Sequence, residues 1–210
     1  LEAFGQVVDE RRLAAGQHTV VLERAEGGEL LLDVTVDGAP REAQVFVTPA
    51  DTATRDAVLA RFLSSFTACA PLLGPLHGGS PACNRALVRG PTPVLVPPGR
   101  YVLRASGGLT TSLAEARVEV QGGRSQRVTL PLVTLPLVPA GVLSADFHVH
   151  GGASFDSALP DTTRVQALLA AGLDVVASTD HDVVTRYGGL VDALGASGRL
   201  HLMTGIESTA

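Results

Sequence analysis

The stretch Ser144-Ala-Asp-Phe-His-Val-His150 opens the part of the chain in which strand and helix patterns alternate. Residues two apart on a strand point to the same side. We therefore expect the imidazoles of His148 and His150 to face together, with Phe147 and Val149 packed on the opposite side. Strands that alternate with helices are typical of a parallel βαβαβ unit, whose functional side chains lie at the carboxyl ends of the strands.

The residues after this stretch continue the alternation. Apolar residues at helical spacing predict helices that end at Gly172 and Gly195, because glycine commonly follows the last helical turn. Short runs of branched residues predict two further strands. The expected order is a helix over 161–171, a strand over 174–178, a helix over 183–194 and a strand over 200–204.

Residue types that bind metals follow the ends of these predicted strands. Asp156 comes six residues after His150, His181 follows the second strand, and Glu207 follows the third. Imidazoles and carboxylates that converge at one edge form a site suited to Zn, Mn or Fe. Each residue also has a simpler interpretation: His148 and His150 as core or surface histidines, Asp156 as a turn cap, and the other two as ordinary loop residues.

The order of these motifs resembles the opening of the PHP (polymerase and histidinol phosphatase) superfamily. The resemblance covers roughly residues 144–210 and is specific, because five ligand types recur in order at suitable spacing. More narrowly, the chain resembles the carbaryl-hydrolase-like (CehA/McbA) branch. The motifs that carry this likeness are Asp146-Phe-His-Val-His150, Ser154-Phe-Asp-Ser157, Ala171-Gly-Leu-Asp174 and Ser178-Thr-Asp-His-Asp182.

This resemblance implies a seven-stranded (β/α)7 barrel that holds up to three divalent metals and hydrolyses a small molecule, either a phosphoester or an amide or carbamate-like ester. Bridged metals lower the pKa of bound water toward neutrality, which supplies the nucleophile. The implied roles are His148 and His150 on the first metal, Glu207 bridging the first and second, Asp156 and His181 on the third, and Asp146 and Asp180 as carboxylates that orient the ligands.

The family pattern also includes ligands from later strands, among them further histidines and a closing Asp-x-His. The sequence given stops at Ala210, so the resemblance predicts the N-terminal portion of a larger metallohydrolase. Such a portion needs the remainder of the barrel, from the same polypeptide or a partner chain, and is inactive alone. The alternative is a non-catalytic binding or scaffolding protein in which the PHP segment is a remnant.

The first two thirds of the chain predict an antiparallel β-sandwich over 1–142, followed by the PHP portion over 143–210. Short runs rich in branched residues are typical of such sandwiches. Two phrases, over 36–43 and 96–103, resemble those of carboxypeptidase-regulatory or transthyretin-like sandwiches. The predicted strands cover 19–23, 29–36, 43–48, 100–105, 116–120 and 125–130.

Two segments interrupt or end this accessory domain. A helix over 51–66, capped by Asp51 or Thr52, opens an insertion near 51–90. The apolar segment 130–141 contains three prolines and is expected to be extended, because proline does not continue a helix. We expect it to lie against one domain and hold the two at a fixed angle.

The composition of the chain argues against nucleic acids and membranes as partners. The net charge is −5 and no basic run exists, which argues against a nucleic-acid surface. The longest apolar run, 128–143, is interrupted by prolines and is shorter than the ~20 residues of a membrane-spanning helix. No membrane span is therefore expected.

The two cysteines, Cys69 and Cys83, lie in a segment rich in proline and glycine. A disulfide between them would close a loop of about 15 residues and stabilise the fold by roughly 3 kcal/mol. Such a bond implies an oxidising compartment, which favours a periplasmic or secreted bacterial protein. Two unpaired thiols in a cytosolic protein are the alternative.

Overall fold

The computed structural model describes residues 27–61, 85–157 and 159–209. Cys69, Cys83 and the strand predicted over 19–23 lie outside these ranges, so the disulfide and the compartment inferred from it stay predictions. Every helix within the described ranges is too short or too polar to cross a lipid bilayer.

The first part of the chain forms two sheets around one core. One sheet has the order β2-β1-β5, with β8 also paired to β1, and the other has the order β4-β3-β6-β7. Apolar side chains of both sheets meet, an arrangement compatible with a β-sandwich, and we call these two sheets the sandwich. Its elements are β1 (Gly28–Val36), β2 (Ala39–Pro40), β3 (Glu42–Pro49), α1 (Thr52–Arg61), β4 (Arg85–Arg89), β5 (Thr92–Val96), β6 (Gly99–Ser106), β7 (Leu113–Val120) and β8 (Ser125–Leu132).

The alternation along β1 explains the layering of the sandwich. Leu30, Leu32 and Val34 are fully buried, whereas the residues between them are half-buried. Each such side chain stabilises the fold by about 1.5–3 kcal/mol when it leaves water. Val45 and Leu103 enter the same core from the facing sheet.

The predicted antiparallel sandwich needs one correction. Among the described strand pairs of the sandwich, β1 and β8 alone run parallel, from Glu29 opposite Ser125 to Val36 opposite Leu132. Parallel neighbours require a long connection, which the other strands supply. The sequence patterns also fail to predict β4 and β5. Pro93 within β5 is tolerated because this strand lies at the sheet edge, paired with β1.

Helix α1 begins where predicted and packs on the sandwich. Asp51 Oδ1 accepts the backbone N–H of Thr54 at 2.8 Å, which caps the first turn as expected for an N-cap aspartate. Arg100 on β6 fixes the helix to the sheet, because its Nε lies 2.8 Å from Asp51 Oδ2 and its backbone N–H donates to Thr54 Oγ1. The predicted continuation over 62–66 lies outside the described residues.

The second part of the chain, residues 144–209, is called the βα unit below. Its three strands run parallel in the order β11-β10-β9, as the predicted alternation requires. Helices α2 and α3 pack on one face and close a separate core with Val176 and Leu200. The elements are β9 (Ala145–Val149), α2 (Asp161–Ala170), β10 (Val175–Ser178), α3 (Gly188–Ala193) and β11 (His201–Thr204).

The prediction for α3 is wrong at its start. The helix begins at Gly188 rather than near residue 183, and Asp182, just before the predicted start, has a left-handed backbone with φ +54°. Such a conformation does not belong to a right-handed helix. The residues after it form a loop, which is tied down by a hydrogen bond from the Ser178 hydroxyl to the Thr185 carbonyl.

The segment between the sandwich and the βα unit also differs in part from its prediction. Its first residues belong to β8, and Thr134 bonds to Asp37 through both its backbone N–H and its hydroxyl. Residues 133–135 lie against the sandwich as predicted, since the backbone N–H of Ser112 donates to the Val133 carbonyl and that of Leu135 donates to the Thr110 carbonyl, both at 2.8 Å. Several apolar side chains after Leu135 are exposed instead. The exposed residues are Leu137, Val138, Val142 and Leu143.

Polar groups connect the two parts of the chain. The buried Glu42 carboxylate on β3 accepts two hydrogen bonds from Arg199, which precedes β11. Arg89 on β4 lies 3.2 Å from the same carboxylate. Gly108 of the sandwich approaches the turn after α2 so closely that a Cβ there would lie 2.0 Å from the Ala171 carbonyl oxygen.

Candidate metal centre

An irregularity in β9 determines where its side chains point. Asp146 pairs with Val176 and Val149 pairs with Ser178, so three steps along β9 match two along β10. Such an extra residue is a β-bulge, which breaks the two-residue alternation. Val149 is buried, but Phe147 is 62% exposed and does not pack as predicted.

The His148 and His150 imidazoles lie side by side, with stacked rings whose centroids are 4.9 Å apart. Both approach one oxygen of Glu207, since Oε2 lies 2.9 Å from His148 Nε2 and 2.8 Å from His150 Nε2. The loop after β11 carries Glu207, and a single parallel bridge joins this residue to His181 in the loop after β10. We call His148, His150 and Glu207 the first donor group.

A second donor group consists of His150, Asp156 and His181. His150 Nδ1 lies 3.0 Å from both carboxylate oxygens of Asp156. His181 Nε2 lies 3.5 Å from Asp156 Oδ2, and its ring meets the His150 ring edge to face at a centroid distance of 4.7 Å. The structure therefore brings all five candidate ligands together at the carboxyl ends of three parallel strands, with His150 shared by both groups.

Two atoms of the first donor group support a metal there. Within the described residues, His150 Nε2 and Glu207 Oε2 are buried and have no hydrogen bond of acceptable geometry, although they lie 2.8 Å apart. A buried polar atom without a partner costs about 1–3 kcal/mol. Imidazole nitrogens and carboxylate oxygens are donors that Zn, Mn and Fe accept. The residues present therefore fit a divalent transition metal.

In the second donor group, Asp156 and His150 stabilise each other's charged forms. The hydroxyl of Ser154, which donates to Asp156 Oδ1 at 2.7 Å, and next His150 lower the pKa of Asp156 to about 2. The hydrogen bond with Asp156 raises the pKa of His150, against the opposing effect of burial, and Glu207 adds to the rise. A metal must displace the proton that this pair holds, so metal affinity should increase with pH.

The two carboxylates expected to orient ligands contact the backbone beside the ligands. Asp146 Oδ1 accepts the backbone N–H of His148 at 3.1 Å. Asp180 is fully buried and accepts the backbone N–H of Gly151 at 2.6 Å and the hydroxyl of Tyr187 at 3.1 Å. Burial, followed by the charge of Asp180, raises the pKa of Tyr187, which therefore stays a hydrogen-bond donor.

Three residues near the cluster were given no role from the sequence, although Ser154 and Phe155 lie in the motif Ser154-Phe-Asp-Ser157. The Ser154 hydroxyl holds the Asp156 carboxylate in place. Because the two residues are only two positions apart, a local hydrogen bond of this kind can be predicted from the sequence. Phe155 is 77% exposed and stacks on His181 at a centroid distance of 4.4 Å. The Thr209 hydroxyl lies 2.6 Å from His181 Nδ1, a contact between separate loops that has no local sequence signal.

Comparison with known protein families yields no matching family model, and no curated protein matches the chain. The resemblance to the PHP superfamily therefore stays a prediction that depends on the motifs.

Proposed function

We propose that the chain belongs to a metal-dependent hydrolase of the PHP type. In this proposal the βα unit is the opening portion of a (β/α)7 barrel, and the sandwich is an accessory domain of the carboxypeptidase-regulatory or transthyretin-like kind. The observation that carries the proposal is the convergence of three imidazoles and two carboxylates at one edge of a parallel sheet. Within each donor group, the ligand atoms lie within 4.8 Å of one another.

The side chains divide the work of holding metals. His148, His150 and Glu207 would hold one ion, and Asp156 and His181 would hold another, with Glu207 able to bridge because a carboxylate has two oxygens. A bound divalent ion supplies Lewis acidity, which polarises a phosphoryl or carbonyl oxygen and acidifies water. Asp146, Asp180 and Ser154 would hold the ligands in place. In this proposal no side chain takes part in bond breaking.

The first donor group is open to solvent on the side of His148, which is compatible with a small-molecule substrate. The His148 side chain is 68% exposed, so a ligand from solvent can reach the first donor group directly. Phosphoesters and amide or carbamate-like esters both present an oxygen that a metal can polarise, and the described residues do not choose between them. Zn, Mn and Fe remain the candidate ions, up to three in a complete site.

Metal binding is the first test of this proposal. We would remove metal with a chelator, titrate Zn²⁺ or Co²⁺, and compare wild type with Glu207→Gln, which keeps the size of the side chain but loses its charge. We expect the variant to bind the metal at least ~100-fold more weakly. Removing a residue that only supports a ligand typically costs up to about 100-fold in metal affinity, and removing a ligand should cost at least as much. The matched control is His201→Gln, since His201 is exposed on β11 outside both donor groups.

Hydrolysis is the second test. The metal-loaded chain, together with the remainder of the proposed barrel that it needs for activity, would be assayed against phosphoesters, carbamates and amides, with Glu207→Gln and His201→Gln in parallel. Turnover that needs metal and is lost only in the Glu207 variant is the expected result. A wild-type chain that binds no transition metal, or binds it equally well after Glu207→Gln, would contradict the proposal and favour a non-catalytic binding protein.

A further inference from the structure

The imidazole of His181 is held on three sides, and only one of its nitrogens is left for a metal. Phe155 stacks on one face, with an interplanar angle of 22°, and the ring of His150 meets it edge to face. Nδ1 lies 2.6 Å from the Thr209 hydroxyl oxygen. Nε2 lies nearer to Asp156 and takes part in the second donor group.

The placement of Thr209 is itself fixed by the loops. Its backbone N–H donates to Asp182 Oδ1 at 2.9 Å, and the backbone N–H of Asp182 donates to the Glu207 carbonyl at 2.9 Å. Asp182 holds the left-handed backbone described above, which is uncommon for a residue other than glycine. Hydrogen bonds thus connect the loops after β10 and β11 and place the Thr209 hydroxyl next to His181.

A neutral imidazole has one N–H and one lone pair, and the hydrogen bond at one nitrogen decides which nitrogen can bind a metal. The Thr209 hydroxyl can accept from Nδ1 or donate to it. If it accepts a hydrogen from Nδ1, the lone pair lies on Nε2, beside Asp156, and if it donates, the hydrogen lies on Nε2 instead. Without this contact, Nδ1 has a competing carboxylate, because Glu207 Oε2 lies 3.9 Å away. His181 could then turn toward the first donor group.

We propose that Thr209 is a positioning residue that sets the tautomer of His181, so that Nε2 is the ligating nitrogen of the second donor group. The inference rests on the proposed metal site and adds a residue that the family resemblance does not assign here. Asp182 holds Thr209 in place and therefore affects His181 only indirectly. A hydrogen-bond partner of a ligating histidine typically contributes 10–100-fold to metal affinity, and Thr209 is expected to contribute within that range.

The test compares Thr209→Val, which keeps the shape but removes the hydroxyl, with Thr209→Ser, which restores the hydroxyl. Nitrogen-15 NMR of the histidines in metal-free protein, recorded about two pH units above the reference histidine pKa of ~6.5, reads the tautomer directly. We expect His181 to carry its hydrogen on Nδ1 in wild type and in Thr209→Ser, and to gain the Nε2–H form in Thr209→Val.

Metal titration of the same variants gives the second measurement. Thr209→Val should weaken, by roughly 10–100-fold, only the binding step that His181→Ala abolishes, and the step lost in His148→Ala should be unchanged. An Nε2–H tautomer in wild type, or a Thr209→Val variant that alters neither tautomer nor affinity, overturns the inference. If wild type binds no metal, the proposed function fails separately, and the tautomer measurement still decides whether Thr209 orients His181.

Discussion

Replacement of Glu42 by glutamine should weaken the contact between the sandwich and the βα unit more than any surface substitution. The Glu42 side chain is only 5% exposed and lies 3.2 Å from Arg89 Nε. Arg199 donates to both of its oxygens, at 2.5 and 2.9 Å. Glutamine keeps one acceptor oxygen but loses the charge, which leaves two guanidinium groups facing a neutral side chain.

The expected loss follows from how deeply each partner is buried. Removing one partner of a fully buried ion pair costs about 3–5 kcal/mol. The arginines here are 30% and 49% exposed, so water compensates part of the lost interaction, and exposed pairs contribute only about 0–1 kcal/mol. We therefore expect Glu42→Gln to lower the free energy of unfolding by about 2–3 kcal/mol at neutral pH, between these two limits.

The dependence on pH has a definite sign. Burial, the largest influence, raises the pKa of Glu42, but hydrogen bonds from Arg199 and from its own backbone N–H, with the charges of Arg199 and Arg89, lower it below its usual value. A depressed carboxyl pKa stabilises the fold above the unfolded-state pKa of ~4.3, and this stabilisation is lost as the pH falls through the folded-state value. The difference between wild type and Glu42→Gln should therefore shrink in acid.

Urea unfolding followed by circular dichroism, at pH near 7 and again in acid, measures both effects. Glu119→Gln is the matched control, because Glu119 is exposed on β7 and, in the part of the chain that the structure describes, forms no ion pair. A Glu42→Gln variant as stable as Glu119→Gln at neutral pH would refute the argument. A difference that grows in acid would refute the assigned sign.

Three further substitutions test the packing. Gly108→Ala should cost about 2 kcal/mol or more, since φ is +101° and the new Cβ meets a backbone carbonyl. Gly188 has open space around it, so Gly188→Ala should be tolerated. If Gly108→Ala and Gly188→Ala lowered the urea midpoint equally, the expected cost at Gly108 would be wrong. Asp51→Ala should lose about 1 kcal/mol through its helix cap, and Asp51→Asn clearly less; equal thermal midpoints would disprove capping. Tyr187→Phe should cost about 1–3 kcal/mol by leaving a buried Asp180 oxygen unpaired, so an unchanged urea midpoint would count against that bond.

Patterns of local origin were predictable from the sequence. The alternation of Leu30, Leu32 and Val34 gives β1, and the helical spacing before Gly172 gives α2, because both depend on residues within one element. The i, i+2 spacing of His148 and His150 correctly places their rings together. Such features require only the repeat of a strand or a helix.

Features that depend on distant partners were not predictable. The parallel pairing of β8 with β1 depends on which strand edge is free after the others have paired, and no local pattern encodes it. The bulge at Phe147 depends on the register with β10. The contact of Thr209 with His181 arises only when two loops meet, so the sequence does not predict it, whereas the family motifs do include Asp146 and Asp180.

The parallel pair has a consequence for how the protein is made. Glu29 and Ser125, which meet at one end of the pair, are 96 residues apart. As the ribosome releases the chain from its N-terminus, β1 waits without this neighbour until β8 emerges, and pairing across so long a stretch is slow because loop closure must precede it. Folding of the sandwich should therefore not be complete before β8 has left the ribosome.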